Sequence, residues 1–301
     1  MGTMLTMQSE DPDKHPSRLA WTMMEPYHTV IYFAPEARAA YSEAGLKGYW
    51  MGYFASRAAA MGPVPASVVT ATFYNFHPNM VARAIPDAWR FSTPEKILSA
   101  RQHAADVILR RLLGDNIIAS AELAEAAELA KIAAGACSVA GRPLFAGHAS
   151  LPWPEQSHLA LWHATTLLRE FRGDGHIAAL LAENVDGCEA HLTMVGKGTL
   201  TREAIQPNRG WSDEDWRAAQ ERLIQRGWLD QTGTLTTEGQ NRRRHIEQVT
   251  DELALPPWQA LGENKFERLL SLMKKFSIQI LEQGGVPMPN PVGVPDPRNL
   301  A

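Results

Sequence analysis

The sequence predicts a mainly α-helical protein of two pseudo-symmetric halves, the second carrying a small β wing. Three observations predict it. Residues 49–71 (YWMGYFASRAAAMGPVPASVVTA) and 173–193 (GDGHIAALLAENVDGCEAHLT) share an order of features, from a Gly and a large ring through Ala-rich sequence to a Gly-containing break and a Thr, at a shift of about 122 residues. Trp89 and Trp211 each precede a polar-capped helix. Helix start and stop signals punctuate the chain from Pro16 to Gly284. Two copies this long make a fused pseudo-dimer rather than a solenoid, with a shared pocket expected between the halves.

Residues 17–44 read as helix, divided at Pro35, which lacks an N–H and clashes one turn back, and stopped by Gly45. Residues 48–60 form a helix of small and aromatic residues that GPVP (62–65) breaks, and 66–75 begin another. The stretch 78–90 is helical, with Pro78 at its first position. Ser92-Thr93-Pro94-Glu95 starts the next helix, since Ser92 or Thr93 caps, Pro94 suits the first turn and Glu95 favours the dipole. That helix ends at Gly114, and Ser120 caps an Ala-rich one over 119–135. Arg142 to Trp153 reads as a loop between the halves.

In the second half a helix spans 155–171 and stops at Gly173, Asp174 caps 175–184, and a short helix covers 187–195. Ser212 caps 213–226, which Gly227 ends. Trp228 to Leu235 is a tight hairpin turning at Thr232-Gly233, and Thr236 or Thr237 caps 238–253. Pro256-Pro257 closes that helix, and the last one covers 262–282. The expected division is a disordered segment 1–16, a first half 17–141, a linker 142–154, a second half 155–283 and a Pro-rich tail 284–301.

Composition narrows the function. The chain has 301 residues, 45% apolar and 21% charged, which allows two domains. The net charge of -4 argues against a dedicated nucleic-acid binder. Cys137 and Cys188, with no CxxC, fit buried thiols in a reducing cytoplasm. No apolar run is long enough to span a membrane. There is no P-loop, no G-x-G-x-x-G after a strand, no G-x-S-x-G and no zinc quartet, so the common nucleotide and hydrolase chemistries are disfavoured. Neither terminus nor composition fixes an oligomeric state.

The segment SDEDWRAAQERLIQRGWLDQTGTLTTEGQNRRRHIEQVTDELA (212–254) resembles the second half of a winged-helix domain of the MarR type, with the winged helix placed at 202–253. Recognition helix, Leu223 to Leu229, wing 230–235 and Leu235-Thr236-Thr237-Glu238-Gly239 follow in the order that family uses. The resemblance implies fold more safely than activity. A recognition helix presents its N-terminal residues to DNA, and here these are Ser212-Asp213-Glu214-Asp215, whose sign is wrong for phosphates. The wing has no Arg or Lys, and Arg242-Arg243-Arg244 reads as a solvated face. EPYH (25–28), GYWMGYFASRAA (48–59), FYNFHP (73–78), RGDGH (172–176) and TDELALPPW (250–258) make the whole chain similar to an actinobacterial helix-turn-helix family. That resemblance implies the fold and a soluble character and transfers no catalytic residue.

Polar residues inside apolar helices are the candidate site. Glu25 and His28 form an E-x-x-H pair with Tyr32 one turn on, but a di-metal site needs a second such helix, and there is none. His163 lies in the apolar run 159–168, followed by Glu170, Arg172, Asp174 and His176. His28, His163 and His176 are candidate ligands for a metal or haem iron, candidate acid/base groups, or histidines satisfied within the core, the last being favoured for any one of them. With Tyr74, Asn75, His77 and Arg83 they suffice to line an apolar pocket. The rings Tyr49, Trp50, Tyr53, Phe54, Phe73, Tyr74 and Phe76 read mainly as core, or as walls of a ligand cavity. The expected function is therefore a small-molecule-binding protein on a degenerate winged-helix scaffold, with a biosynthetic reaction in a pocket between the halves. The alternative is a ligand-responsive DNA-binding transcriptional regulator, and a third reading is an interaction protein without pocket chemistry.

Overall fold

The computed structural model describes residues 14–198, 200–290 and 293–299. Seventeen α-helices are present among them, and no strand. The first run is α1 (Pro16–Phe33), α2 (Pro35–Glu43), α3 (Gly48–Ala58), α4 (Ala66–Phe73), α5 (Pro78–Ala82) and α6 (Asp87–Phe91). Then come α7 (Pro94–Leu113), α8 (Asp115–Ile118), α9 (Ala121–Gly135), α10 (Pro143–Ala149) and the 26-residue α11 (Ser157–Ala182). The chain continues with α12 (Gly187–Gly196), α13 (Arg202–Ile205), α14 (Asp213–Gln225), α15 (Thr237–Leu253), α16 (Pro256–Leu261) and α17 (Glu263–Glu282).

Local chemistry sets most boundaries as expected. Thr93 Oγ1 accepts from Lys96 N, Ser120 Oγ from Leu123 N and Thr236 Oγ1 from Gly239 N, each satisfying an orphan donor of a first turn. Ser212 and Asp215 form a reciprocal capping box. Gly45, Gly114 and Gly227 sit at positive φ where their helices end. Pro86 and the turn at 83–86 divide the single helix expected over 78–90 into α5 and α6.

Two buried cores replace the equal halves. The larger joins residues from Ala20 to Phe171 with Trp258 to Val294, because α17 returns to pack along α1, where Ser277 Oγ donates to Met23 O at 2.6 Å. The smaller runs from Ala179 to Ile246 and is filled by Leu180, Leu192, Trp216, Leu223, Trp228 and Leu235. The two repeat copies fall in unlike places, α3 and α4 of the larger core and α11 and α12 at the smaller. Pseudo-symmetry is therefore not supported. The expected linker 142–154 contains α10, whose Leu144 and Phe145 are buried in the larger core. The β wing reduces to one antiparallel bridge, Leu229 to Leu235, around a turn in which Asp230 Oδ1 accepts from the backbone of Thr232 and Thr234. In the Pro-rich tail Val286 and Val294 pack on the larger core. The expected disordered segment 1–16 lies outside the described residues up to 13, and α1 begins at Pro16.

The largest departure is α11, which crosses from one core to the other without stopping at Gly173. Two glycines weaken a helix by about 1 kcal/mol each relative to Ala, but here both ends of α11 are buried in cores that fix its direction. Gly175 earns its place by contact. A Cβ there would stand 2.8 Å from Arg142 Nη1 and 3.3 Å from Leu253 Cβ. Asp174 is thus inside a helix rather than capping one. Its carboxylate instead accepts from Phe145 N at 2.9 Å, at the N-terminus of α10.

Candidate functional site

The polar residues picked out in the sequence fall into three places. Glu25, His28, Tyr32 and His163 lie within the larger body; Arg172, Asp174 and His176 lie where α11 passes into the smaller module; Tyr74, Asn75 and His77 lie on a strap that reaches the module from the body. Arg83 is exposed and shares no place with the others.

The body holds a buried polar cluster between α1, α3, α7, α10 and α11. His28 is fully engaged, Nδ1 with Thr166 Oγ1 at 3.0 Å and Nε2 with Tyr32 Oη at 2.8 Å. The Glu25 carboxylate serves Arg169 at 3.0 Å, not the His28 three residues on. Arg57 makes a fork to Glu170, with Nη2 at 3.0 and 2.9 Å from the two oxygens, and Arg169 Nη1 reaches the same carboxylate at 3.1 Å. Burial raises the Glu170 pKa, but Arg57 and Arg169 outweigh it and hold the group down at about 2.

Three further members were not picked out as site residues in the sequence: Arg57, Arg101 and His148. All are buried. Their signal is a charge on an apolar stripe. Arg101 follows Ile97 by four and precedes Ala104, Ala105, Ile108 and Leu112 on the buried face of α7, and His148 follows Leu144 by four on α10. The Arg101 guanidinium lies 4.4 Å over the Trp162 ring. Burial first, then Arg101, pushes His148 down to about 3 and His163 down to about 4. A metal or haem iron needs a free imidazole nitrogen. Both nitrogens of His28 are taken, whereas Nε2 of His163 has no partner. Among the described residues no three His, Cys, Asp or Glu side chains are grouped to hold a metal ion.

The passage from body to module is ionic. Arg172 Nη1 lies 2.7 Å from Asp251 Oδ1, and Arg18 Nη2 lies 2.6 Å from Asp251 Oδ2 and 3.2 Å from Glu247. Arg243 closes on Glu247 from the same helix. His176 Nδ1 meets Thr250 Oγ1 at 2.9 Å, and Arg142 donates to the carbonyls of Phe171 and Leu253. The RGDGH and TDELALPPW segments are the two sides of this joint. Beside it, a small void of about 20 Å³ lies between α1, α11 and α16, lined by Trp21, Met24, Glu25, Arg169, Arg172 and Trp258.

FYNFHP is the strap. Tyr74 has φ 49° and ψ −52°, a tight γ-turn that brings Asn75 N to 2.5 Å from Phe73 O. A bulky residue at positive φ is strained and persists only when neighbours hold it. They do: Tyr74 Oη donates to Val185 O at 2.6 Å, His191 Nε2 and Trp211 Nε1 both meet Asn75 O at 3.0 Å, and His77 N donates to Arg209 O at 2.8 Å. Gly187, first residue of α12, permits the approach, for a Cβ there would lie 2.2 Å from Tyr74 O. Gly187→Ala is therefore expected to cost at least about 2 kcal/mol although Ala is the better helix former. Hydrogen exchange should quicken in 187–196 more than in α7 or α9. Unchanged exchange there would show that the strap does not hold the module. An open cleft of about 500 Å³ is lined by Tyr74, Asp186, Glu189, Arg222 and Arg226.

The module keeps α14 outward. Asp213, Glu214, Arg217, Ala218 and Glu221 are exposed along its free face, and at its start His77 Nε2 lies 3.7 Å from Asp215. Two of the three leading carboxylates are occupied internally. Asp213 Oδ1 accepts from Arg202 at 2.6 Å and from Gln206 at 2.9 Å, while Asp215 turns back to Ser212 N and Oγ. Before α14 the short α13 is capped by Thr201, whose Oγ1 accepts from Ala204 N at 3.3 Å. Leu235 N donates to Gly196 O at 3.2 Å and so ties the bridge to the end of α12. No helix of the described residues is long and apolar enough to cross a membrane.

No curated protein and no solved structure matches the chain. A profile described as a helix-turn-helix family matches residues 17–287, and so takes in the body, the strap, the joint and the module together. The chain belongs to that helix-turn-helix family.

Proposed function

We propose that this protein is a ligand-responsive DNA-binding regulator, acting in the cytoplasm, whose module 179–249 is a reduced winged helix of the MarR type carried on a helical sensor body. The observation that carries this reading is the free outer face of α14 in a family of helix-turn-helix proteins. The order of α13, turn, α14, bridge and α15 supports it, with the bridge as remnant of a wing. The acidic start of α14 opposes it less than its composition suggests, because Asp213 is paired with Arg202 and Asp215 is held back on Ser212 at the helix start, leaving Glu214 and Glu221 beside Arg217.

The same acidic residues favour a second reading, a small-molecule-binding protein that keeps the scaffold without touching DNA. Selection from a random duplex pool, followed by fluorescence anisotropy at 50 and 200 mM salt, separates the two. The regulator should enrich a motif and lose at least tenfold in affinity over that salt range. Arg217→Glu should lose a further tenfold or more without unfolding. If nothing is enriched and no anisotropy change occurs at the lower salt, the regulator reading is wrong.

A further inference from the structure

Arg101 is 3% exposed on the buried face of α7, and a guanidinium keeps its charge at any ordinary pH. Its Nε and Nη2 have no hydrogen-bond partner. The carboxylates of the cluster are already committed, Glu25 to Arg169 and Glu170 to Arg57 and Arg169, and among the described residues Arg101 lies within ion-pair distance of none. His148, on α10, is 0% exposed, and neither ring nitrogen has a partner. His163 presents an unpartnered Nε2. Isolated buried charges are rare because removing them from water is expensive unless an opposite charge compensates. Buried unpartnered polar groups call for an unseen water or ion. Trp162 stacks under the guanidinium and disperses some of its field but accepts no hydrogen bond from it.

We propose that Arg101, with His148 and His163, forms a binding site for a compact monoanion, a carboxylate of the size of acetate. The carboxylate would take the free edge of the Arg101 guanidinium and the N–H of a neutral imidazole. Neutral imidazoles suit this role, as each offers a donor without adding a second positive charge. The Arg101 guanidinium rests on Trp162, and Trp153, partly exposed, stands edge-on to His163 with ring centres 4.8 Å apart. Neither the void nor the cleft described above is lined by these residues, so the site is separate from both. It supplies an effector class to the regulator reading but does not depend on it, since occupancy is measured without DNA.

The test is thermal unfolding in sodium acetate against sodium gluconate at equal ionic strength, gluconate being a bulky monoanion of the same charge. Acetate at a hundredfold excess over its Kd is expected to raise the midpoint of the wild-type chain by about 5 °C relative to gluconate. In Arg101→Met the two salts should give one midpoint, and that midpoint should be no lower than the wild type in gluconate, because an uncompensated charge has gone. Equal wild-type midpoints, or a shift that survives in Arg101→Met, would overturn the proposal. So would a much lower midpoint of Arg101→Met in gluconate, the mark of a cation kept for packing alone. Should that variant fail to fold, 13C-labelled acetate titrated with the wild-type chain decides: broadening or a second resonance supports the site, and a sharp unmoved line at millimolar protein refutes it.

Discussion

Acidification from pH 7 to pH 5 is expected to remove at least about 4 kcal/mol of stability. His148, His163 and His191 are buried and neutral, with pKa values pushed by burial, and then by Arg101 or Arg209, to about 3, 4 and 3. An unfolded histidine titrates at about 6.5. Because the folded values are depressed, the stability these groups contribute is complete above about pH 6.5 and is lost as the pH falls toward the folded values, since only the unfolded chain takes up the protons. His28 acts with the same sign, and so does half-buried His176 at about 4. Asp174 acts oppositely. Burial raises it to about 6, so its protonation below that pH favours the folded state and returns about 1 kcal/mol. Glu170 and Glu247, both held near 2 by their arginines against burial, matter only at lower pH. Net stabilities of about 5–15 kcal/mol make a loss of this size visible as acid unfolding. Urea titrations at pH 7, 6 and 5 measure it, and His148→Gln should reduce the proton uptake by about one. A midpoint that holds constant from pH 7 to pH 5 would mean that these imidazoles are solvated.

Glu170→Gln is expected to destabilise the chain by about 3–5 kcal/mol. The carboxylate is 2% exposed and is shared by Arg57, itself 7% exposed, and by Arg169. Removing its charge leaves Arg57 without a carboxylate and Arg169 with Glu25 alone, in surroundings where desolvation already disfavours both guanidiniums. Gln keeps the shape and one acceptor, so the loss reports charge rather than packing. Adding Arg57→Met to the same chain should recover part of the loss, since it removes the cation that Glu170→Gln orphans. Guanidinium chloride denaturation is unsuitable for an ion-pair measurement, so urea is the denaturant of choice. A loss below about 1 kcal/mol would place this pair in the class of surface bridges.

The residues that carry the family resemblance have structural reasons that the sequence did not disclose. EPYH places Glu25 against Arg169 and His28 between Tyr32 and Thr166, and GYWMGYFASRAA supplies Arg57. FYNFHP is the strap, and RGDGH with TDELALPPW is the ionic joint. Reading Glu25 and His28 as a pair failed because helical spacing gives proximity on one face and says nothing of what the opposing helix offers. Arg169, 144 residues away, is a stronger partner for the carboxylate than any neighbouring imidazole.

Sequence by itself determined the helical class, the caps Thr93, Ser120, Ser212 and Thr236, the stops at Gly114 and Gly227, and the membership of Trp228, Leu229 and Leu235 in a turn at the end of α14, because these depend on contacts within a few residues. Tertiary structure decided what depends on partners far along the chain. It carried α11 through Gly173, since two cores grip its ends and Gly175 admits Arg142 and Leu253. It divided the chain into a large body and a small module rather than equal halves, since α16 and α17 return to α1 and α9. It also gathered Arg57, Arg101 and His148 from three separate helices into one buried place. A local pattern can mark polar side chains such as Arg101 and His148 as lying on an apolar stripe, but only the packing of the helices shows that Arg101 has been left without a carboxylate.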